Sequence, residues 1–167
     1  MRIIITGEGP QSGKTEARLY LDEILNEPST ATSRLLYENV AAKTGVTVEH
    51  IIDRRIENAD AFREDLIEEG NKRCDAGKFP SVDAFWCGYR IIDGVRRLDD
   101  LLAGKRYVTE DLGETLCHIH LVGRSSGTTD NTQPNELREH ADFVLENNLS
   151  LADLFSSMVD CIDGFEK

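Results

Sequence analysis

The sequence predicts an α/β fold, a three-layer sandwich in which helices cover both faces of a small, mostly parallel sheet. Short apolar segments of strand length alternate with longer segments whose apolar residues recur at helical spacing. A long helical stretch, residues 29–89, follows the first strand and helix. Because a chain of 167 residues usually forms one domain, we expect a single domain, 1–167, with 29–89 as a helical insertion.

The chain begins with the clearest strand and helix. Arg2 to Thr6 is an apolar run that is too short for a helix and fits a buried strand. A glycine-bearing turn follows from Gly7 to Ser12, and a helix begins at Gly13. That helix places four apolar residues on one face: Ala17, Leu21, Ile24 and Leu25.

The insertion is expected to be helical throughout. Pro28 ends the first helix, because proline lacks the N–H group that a helix interior needs. Four helical segments should follow: one capped by Ser29 or Thr30 and ending at Gly45, one capped by Thr47, one from Asp60 to near Gly77, and a short one from Val82 to Tyr89.

The second half of the chain supplies the remaining strands. We expect them at Arg90 to Val95, Leu116 to Val122 and Ala141 to Leu145. A short helix at Leu98 to Leu102, a mobile loop at Gly123 to Asn135 and a closing amphipathic helix at Leu149 to Ile162 complete the chain. Ligands of parallel sheets bind beyond the carboxyl ends of the strands, so Gly7, Asp93 and Gly123 should lie along one edge.

The composition restricts the possible partners. The chain has 31 acidic and 19 basic residues and a net charge of −12, so we expect neither nucleic acid nor an anionic membrane as a partner. Its apolar runs are too short to span a bilayer, and no signal peptide is evident, which predicts a cytoplasmic protein. Four widely spaced cysteines indicate reduced, buried thiols. The sequence leaves the oligomeric state open.

The first strand, the glycine turn and the following helix together predict a phosphate-binding loop. The start of a helix offers unpaired backbone N–H groups and a partial positive charge, which attract an anion. The ammonium group of Lys14 would contact the β- and γ-phosphates, and the hydroxyl of Thr15 would bind Mg²⁺. We therefore expect ATP and Mg²⁺ as cofactors, held by Gly9, Gln11, Ser12, Gly13, Lys14 and Thr15.

The glycine spacing of this loop departs from the usual G-x-x-x-x-G-K-[ST] pattern. That pattern would place its first glycine at residue 8, which is Glu8. The loop is therefore either one residue longer, starting at Gly7, or one residue shorter, starting at Gly9. The carboxylate of Glu8 would repel a triphosphate unless it points away from it.

Candidates for catalysis and metal binding follow the second predicted strand. Asp93 stands at its carboxyl end, where a carboxylate can bind Mg²⁺ opposite Thr15; a helix cap or an ion pair with Arg96 is the alternative. Arg96 and Arg97 come next, and we expect one to contact the transferred phosphate while the other pairs with a nearby aspartate. Arg124, after the third strand, is a further candidate for catalysis.

Candidates for acceptor binding lie in the insertion. Arg63 and Arg73 are ten residues apart, so we expect them to share a helix face and bind an anionic group; surface ion pairs are the alternative. Trp86 is a candidate for stacking on a base, with core packing as the alternative. His118 and His120 alternate on a predicted strand, and we expect them to pack in the core rather than bind metal.

Five stretches of the chain resemble the bacteriophage-type deoxynucleoside monophosphate kinases and their phage P-loop relatives. They are the phosphate loop, SRLLYENVAAKTGVTVEHI (Ser33 to Ile51), FREDLIEEGNKR (Phe62 to Arg73), IIDGVRRLDDL (Ile91 to Leu101), and DNT (Asp130 to Thr132) with ADFVLENNLSLADL (Ala141 to Leu154). The stretches occur in order over nearly the whole chain. The A-D-x-x-x-x-N pattern that begins at Ala141 is also similar to dephospho-coenzyme A kinases.

The resemblance implies a P-loop NTPase fold of the nucleotide-kinase type and phosphorylation of a deoxynucleoside monophosphate by ATP, in the host cytoplasm if the protein is phage-encoded. It gives Lys14 and Thr15 the ATP and Mg²⁺ role, Asp93 a metal or substrate role, and Arg63 and Arg73 the acceptor side. An acceptor phosphate oxygen would attack the γ-phosphate in line, with catalysis by positioning and charge neutralisation rather than by a general base.

Three other functions stay open at this point. A nucleotide-binding module without transfer activity is favoured by Glu8 and by the acidic surface. A kinase of another small acceptor, such as dephospho-coenzyme A, would use the same architecture. An ATPase in genome handling is disfavoured by the net charge of −12 and by the lack of a basic stripe.

Overall fold

A computed structural model describes residues 1–8, 12–123, 134–148 and 150–165. Five strands form one parallel sheet in the order β2-β3-β1-β4-β5. The strands are β1 (Arg2–Gly7), β2 (Ser29–Ala31), β3 (Ile91–Asp93), β4 (Leu116–Val122) and β5 (Phe143–Glu146). Since all five strands run the same way, their carboxyl ends lie along one edge of the sheet.

Within the described residues, eight α-helices surround the sheet or form the insertion. They are α1 (Lys14–Leu25), α2 (Tyr37–Thr44), α3 (Val48–Glu57), α4 (Arg63–Asp75), α5 (Pro80–Trp86), α6 (Leu98–Arg106), α7 (Pro134–Glu139) and α8 (Leu151–Phe165). A 3₁₀ helix, Thr32–Leu36, precedes α2, and a π-helical turn, Tyr107–Asp111, extends α6. None of the helices that the structure describes has the length and apolar composition needed to cross a membrane.

The alternation of side chains along β1 divides the core into two layers. Ile3 and Ile5 face one side of the sheet and pack against α1 and α8, whereas Ile4 faces the other side and packs against α5, α6 and α7. All three isoleucines are almost fully buried, and each stabilises the fold by roughly 2–3 kcal/mol. A third core lies inside the insertion and is formed by Leu36, Tyr37, Val40, Ala41, Ile51 and Leu66.

The predicted three-layer α/β fold is confirmed, and several local predictions hold with it. The first strand and the strand Leu116–Val122 lie where the sequence places them. Thr47 caps α3, since its hydroxyl accepts a hydrogen bond from the backbone N–H of His50 at 3.1 Å. Gly45 ends α2 with a left-handed φ of 75°, a conformation that glycine adopts without strain.

The prediction that Ser29 or Thr30 caps a helix is wrong, because both residues belong to β2. Thr30 pairs with Ile92 of β3 and is only 2% exposed. A strand of three residues is too short to show an alternating pattern, and its partner strand lies some sixty residues away in sequence. The insertion therefore begins after β2, and its first helical residue is Thr32.

Other differences concern the ends and the number of helices. Of the predicted strand Arg90 to Val95, only the three residues of β3 form a strand. The predicted loop Gly123 to Asn135 contains residues 124–133, which lie outside the described residues, and it ends where α7 begins at Pro134. Proline suits the first position of a helix, where its missing N–H group has no intrahelical partner. Of the cysteines predicted to be buried, Cys87 is instead exposed, although all four are free thiols.

Two buried histidines share one threonine at the centre of the sheet, which confirms that they pack in the core. Thr6 Oγ1 lies 2.7 Å from His118 Nε2 and 2.8 Å from His120 Nδ1. His118 Nδ1 donates to the backbone carbonyl of His140 at 3.0 Å, because a carbonyl can only accept. His118 Nε2 must then accept from Thr6, and His120 Nδ1 donates to Thr6. Burial lowers the pKa of both histidines to about 4.

These histidines should make the protein sensitive to acid. Their pKa in the unfolded chain is near 6.5. Between pH 6.5 and 4 these side chains therefore bind protons in the unfolded state but stay neutral in the folded state. The free energy of unfolding should therefore decrease as pH falls from 6.5 towards 4, and His118 alone should account for roughly 3 kcal/mol of this decrease. Urea unfolding of His118→Gln between pH 4 and 7 should show a shallower decline than the wild type.

The exposed His50 provides the matched control for this measurement. His50→Gln should keep the acid decline of the wild type, because it leaves His118 and His120 in place. An equally steep acid decline in His118→Gln would assign the acid sensitivity to other groups.

Candidate functional site

The end of β1 packs so closely against its neighbours that only glycine fits there. A Cβ atom on Gly7 would lie 2.5 Å from Ser12 Oγ and 2.8 Å from the backbone oxygen of Leu121. The N–H of Glu8 donates to that same oxygen at 3.1 Å, which continues the β1–β4 pairing into the loop. The chain therefore leaves the sheet tightly folded back on itself. Gly9 and Gln11, predicted to bind phosphate, lie outside the described residues.

The start of α1 carries the predicted phosphate contacts Ser12, Gly13, Lys14 and Thr15. Gly13 has a left-handed φ of 88°, and Lys14 is the first residue of the helix. Lys14 Nζ donates to Ser12 Oγ at 2.8 Å, which holds the ammonium group against the loop. An ammonium group beside a helix N-terminus is a favourable site for an anion.

The carboxylate of Glu8 is turned towards α7. Glu8 Oε1 lies 3.7 Å from Arg138 Nη1, and the Arg138 side chain is half exposed. This contact directs the negative charge of Glu8 to a neighbouring cation, which reduces the repulsion that an anion at the loop would meet.

A buried ion pair lies below the start of α1. Arg18 Nε donates to Asp93 Oδ2 at 3.2 Å, and both side chains are about 5% exposed. The Thr15 side chain also interacts with the Asp93 carboxylate. Burial raises the pKa of Asp93 above its usual range, while Arg18, Lys14 and Thr15 act in the opposite direction. An ion pair with Arg96 was one alternative to the metal role predicted for Asp93, and the structure shows an ion pair with Arg18.

Arg18 was not identified from the sequence as a site residue. It lies on the buried face of α1 with Ala17 and Leu21, where an arginine is unusual. That position within an apolar stripe is the signal that would have indicated a buried acidic partner.

The adjacent oxygens of Thr15 and Asp93 fit the chemistry of Mg²⁺. Magnesium is usually bound by one or two protein oxygens together with water and phosphate. Within the described residues no cluster of three His, Cys, Asp or Glu side chains offers a complete metal site. A magnesium ion here would therefore depend on the phosphates of a ligand, as expected for ions that accompany a nucleotide.

A cleft of about 560 Å³, counted to its open mouth, lies between the insertion and the carboxyl end of β3. It begins at Gly94, directly after Asp93. Four arginines reach it, from α3, from α4 and from the segment after β3: Arg55, Arg63, Arg96 and Arg97. Its other polar lining residues are Thr32, Ser33, Asn71 and Asp100. The cleft is therefore rich in cations although the protein as a whole is acidic.

Only one of the three residues predicted in the insertion to bind the acceptor lines this cleft. Arg63 lines it, but Arg73 does not, and the Arg73 guanidinium instead pairs with Asp83. Ten helical residues place two side chains about 80° apart around the helix axis, so the prediction of a shared face is wrong. Trp86 also lies outside the lining and is 77% exposed, whereas its neighbour Phe85 is buried in the core.

The two arginines after β3 have different surroundings. Arg97 forms ion pairs with Asp75 at 2.8 Å and Asp99 at 2.7 Å, as expected for one arginine of this pair. Arg96 lines the cleft and is half-buried. Arg124, the other predicted catalytic arginine, lies outside the described residues.

Asp100 is the acidic member of the cleft lining. It is 4% exposed and accepts a hydrogen bond from the backbone N–H of Ser81 at 3.0 Å. Burial raises the pKa of its carboxyl to about 6, so this group changes charge near neutral pH.

Asn147 is a second residue that was not identified from the sequence as a site residue. It follows β5, is 1% exposed, and its Nδ2 donates to the backbone oxygen of Ser12 at 3.1 Å. The A-D-x-x-x-x-N pattern ends at this asparagine and begins at Ala141, so the signal was present in the sequence. In the same pattern, Asp142 accepts a hydrogen bond from the backbone N–H of His118 at 2.7 Å and fixes the β4–β5 pairing.

Comparisons with known proteins give structural neighbours only. No protein family model matches the chain, and no curated protein matches it in sequence. Among solved structures, the shikimate kinase of Aquifex aeolicus is 16% identical with a TM-score of 0.54, over 99% of this chain and 98% of that one. The shikimate kinase of Acinetobacter baumannii, in complex with shikimate, is 14% identical with a TM-score of 0.56, over 98% and 94%.

The APS kinase of Mycobacterium tuberculosis gives a similar result, with 15% identity and a TM-score of 0.52 over 97% of this chain and 96% of that one. These likenesses extend over nearly the full length of each chain. Together with the five-stranded parallel sheet, they show that the chain shares the α/β fold of these neighbours.

The buried pair of Arg18 and Asp93 should be important for stability. In Arg18→Met, the Asp93 carboxylate would remain buried without its main cation, at a cost of about 3 kcal/mol. Urea unfolding at pH 7 should detect this loss. The loss should shrink at acid pH, because a protonated Asp93 needs no positive partner.

The double variant Arg18→Met, Asp93→Asn tests whether the loss belongs to the pair. It should be more stable than Arg18→Met alone, because no charge then remains buried. Additive losses in the two single variants would show that the two side chains act independently.

Proposed function

We propose that the protein transfers the γ-phosphoryl group of ATP to a small anionic acceptor bound in the arginine-lined cleft. One observation carries this proposal: the cleft begins one residue beyond Asp93, next to the start of α1. A polyphosphate at Lys14 and an anion in the cleft would therefore be neighbours. The P-loop kinase fold agrees with phosphoryl transfer. We also propose that the reaction takes place in the cytoplasm.

The roles of the residues follow from their positions. Lys14 and the N–H groups at the start of α1 would bind the phosphates of ATP. Mg²⁺, held by Thr15 and Asp93, would supply positive charge to the β- and γ-phosphates. Among the arginines that line the cleft, Arg96 is closest in sequence to Asp93, and we assign it to the transferred phosphate.

The reaction would be an in-line displacement. An oxygen of the acceptor forms a bond to the γ-phosphorus. The bond between the γ-phosphorus and the bridging β–γ oxygen breaks, and its electron pair stays on that oxygen, which leaves as part of ADP. An acceptor phosphate is already ionised, so this step requires no general base. Catalysis would rest on positioning and on neutralising the charge of the transferred group.

A deoxynucleoside monophosphate is our first candidate for the acceptor. The resemblance of the sequence to phage nucleotide kinases supports it, and Arg55 and Arg63 could bind its phosphate. A small hydroxylated acid is the second candidate. It is favoured because the part of the cleft that the structure describes has no aromatic side chain on which a base could stack.

One experiment separates these candidates from each other and from a nucleotide-binding module. ADP formation from MgATP would be measured with a panel of nucleoside monophosphates, dephospho-coenzyme A and small hydroxy acids, together with the thermal shift that each causes. Turnover with one class identifies the acceptor. Binding of ATP without turnover of any acceptor would replace the kinase proposal by the binding module.

Lys14 gives the first test of the phosphate site. Lys14→Ala should lower kcat/KM by about 10²-fold or more, because the charge near the transferred phosphate is then lost. The melting temperature should change little, since the side chain is half exposed. Lys72→Ala, which removes an exposed ammonium group on α4, is the control and should retain full activity. Unchanged ATP affinity and turnover in Lys14→Ala would refute the phosphate site.

Arg63 and Arg73 provide a matched pair for the acceptor site. Arg63 lines the cleft and Arg73, on the same helix, does not. Arg63→Ala should raise the KM for the acceptor about tenfold and leave the KM for ATP unchanged, since a charge-assisted hydrogen bond is lost. Arg73→Ala should leave both constants within about twofold. Equal effects of the two variants on the acceptor KM would place the acceptor elsewhere.

A further inference from the structure

The peptide bond between Ser12 and Gly13 is held from outside the loop. Its carbonyl oxygen, on Ser12, accepts the hydrogen bond from Asn147 Nδ2 at 3.1 Å. Ser12 is fully buried, and Asn147 is 1% exposed, so water does not compete for this bond. The two residues are 135 positions apart in the sequence, and the bond joins the end of β5 to the start of α1.

The orientation of Asn147 is fixed from two sides. Its backbone N–H donates to the oxygen of Val122 at 2.7 Å, which continues the β4–β5 pairing by one residue. Its side-chain nitrogen is in contact with Gly13, whose left-handed φ of 88° brings the loop against the amide. A Cβ atom at position 13 would collide with that nitrogen, so the contact requires glycine.

Planarity of the peptide bond connects this anchor to the phosphate site. In a trans peptide the C=O and the N–H point in opposite directions, and all peptide bonds of the described residues are trans. With the carbonyl of Ser12 directed at Asn147, the N–H of Gly13 must point away from Asn147. The direction of the Gly13 N–H is therefore set by the side chain of Asn147.

We propose that Asn147 is a positioning residue that presets the Ser12–Gly13 peptide so that the Gly13 N–H is a ready donor to a phosphate group. This inference rests on the proposed function, because it assumes that a phosphate binds at the start of α1. A preset donor costs no reorganisation when the anion arrives, which is the source of its value for binding and catalysis. Without Asn147, this peptide would have to be ordered by the ligand.

Asn147→Asp tests the proposal with almost no change in shape. An ionised carboxylate has no proton to donate and would repel the Ser12 carbonyl, which should turn the peptide. The affinity for pyrophosphate and for MgATP should fall about tenfold at pH 8, equivalent to ~1.4 kcal/mol. The KM for the acceptor should stay unchanged. At lower pH a protonated carboxyl could again donate to Ser12, so the affinity should recover.

The neighbouring asparagine supplies the control. Asn148 is exposed, and Asn148→Asp adds the same charge one residue later without touching Ser12. It should leave the affinity for pyrophosphate unchanged. If Asn147→Asp does not fold, Asn147→Ala is used, and its pyrophosphate affinity is measured below its melting temperature.

The outcomes distinguish this inference from the proposed function. If the folded Asn147 variants bind pyrophosphate and MgATP as tightly as the wild type does, the positioning role is overturned and the kinase proposal stays intact. A lower melting temperature with unchanged affinity would assign Asn147 to stability only, and would overturn the inference as well. A wild type that binds neither pyrophosphate nor MgATP would overturn both proposals.

Discussion

Arg18 joins three elements of the fold through one guanidinium group. It pairs with Asp93 at the end of β3, donates to the hydroxyl of Ser29 in β2 at 2.6 Å, and belongs to α1 itself. Ser29 in turn donates to Asp22, one turn further along α1. This network fixes the height of α1 above the strand ends, and with it the positions of Lys14 and Thr15. Because the pair is buried, it favours one arrangement of helix and sheet over displaced ones, a role that buried ion pairs fill in some proteins.

The electrostatics of the site contrast with those of the whole chain. The net charge is −12, yet the loop and the cleft contain Lys14 and four arginines. Nearby acidic groups satisfy some of these cations, as Asp75 and Asp99 do for Arg97. The proposed site would therefore select an anion by its local geometry rather than by the overall charge of the protein.

The parts of the structure that could be predicted from the sequence depend on local patterns. β1 and the start of α1 follow from an apolar run, a glycine and the lysine within one short segment. β2 could not be predicted, because its three residues form a strand only by pairing with β3. Arg18 and Asn147 likewise acquire their roles from partners 75 and 135 positions away. The error over Arg73 has a different origin, since the spacing was visible but the angle between the side chains was misjudged.

The separate core of the insertion has a consequence for the evolution of this protein. Leu36 and Leu66 belong to that core and also line the cleft, whereas the buried residues of α1 pack against the sheet. Substitutions in the insertion can therefore reshape the cleft without disturbing the half that includes Lys14. Under the proposed function, such a division would allow acceptor preference to diverge rapidly between related proteins while the start of α1 is retained. Similarity between relatives should accordingly persist longest around the sheet and the start of α1.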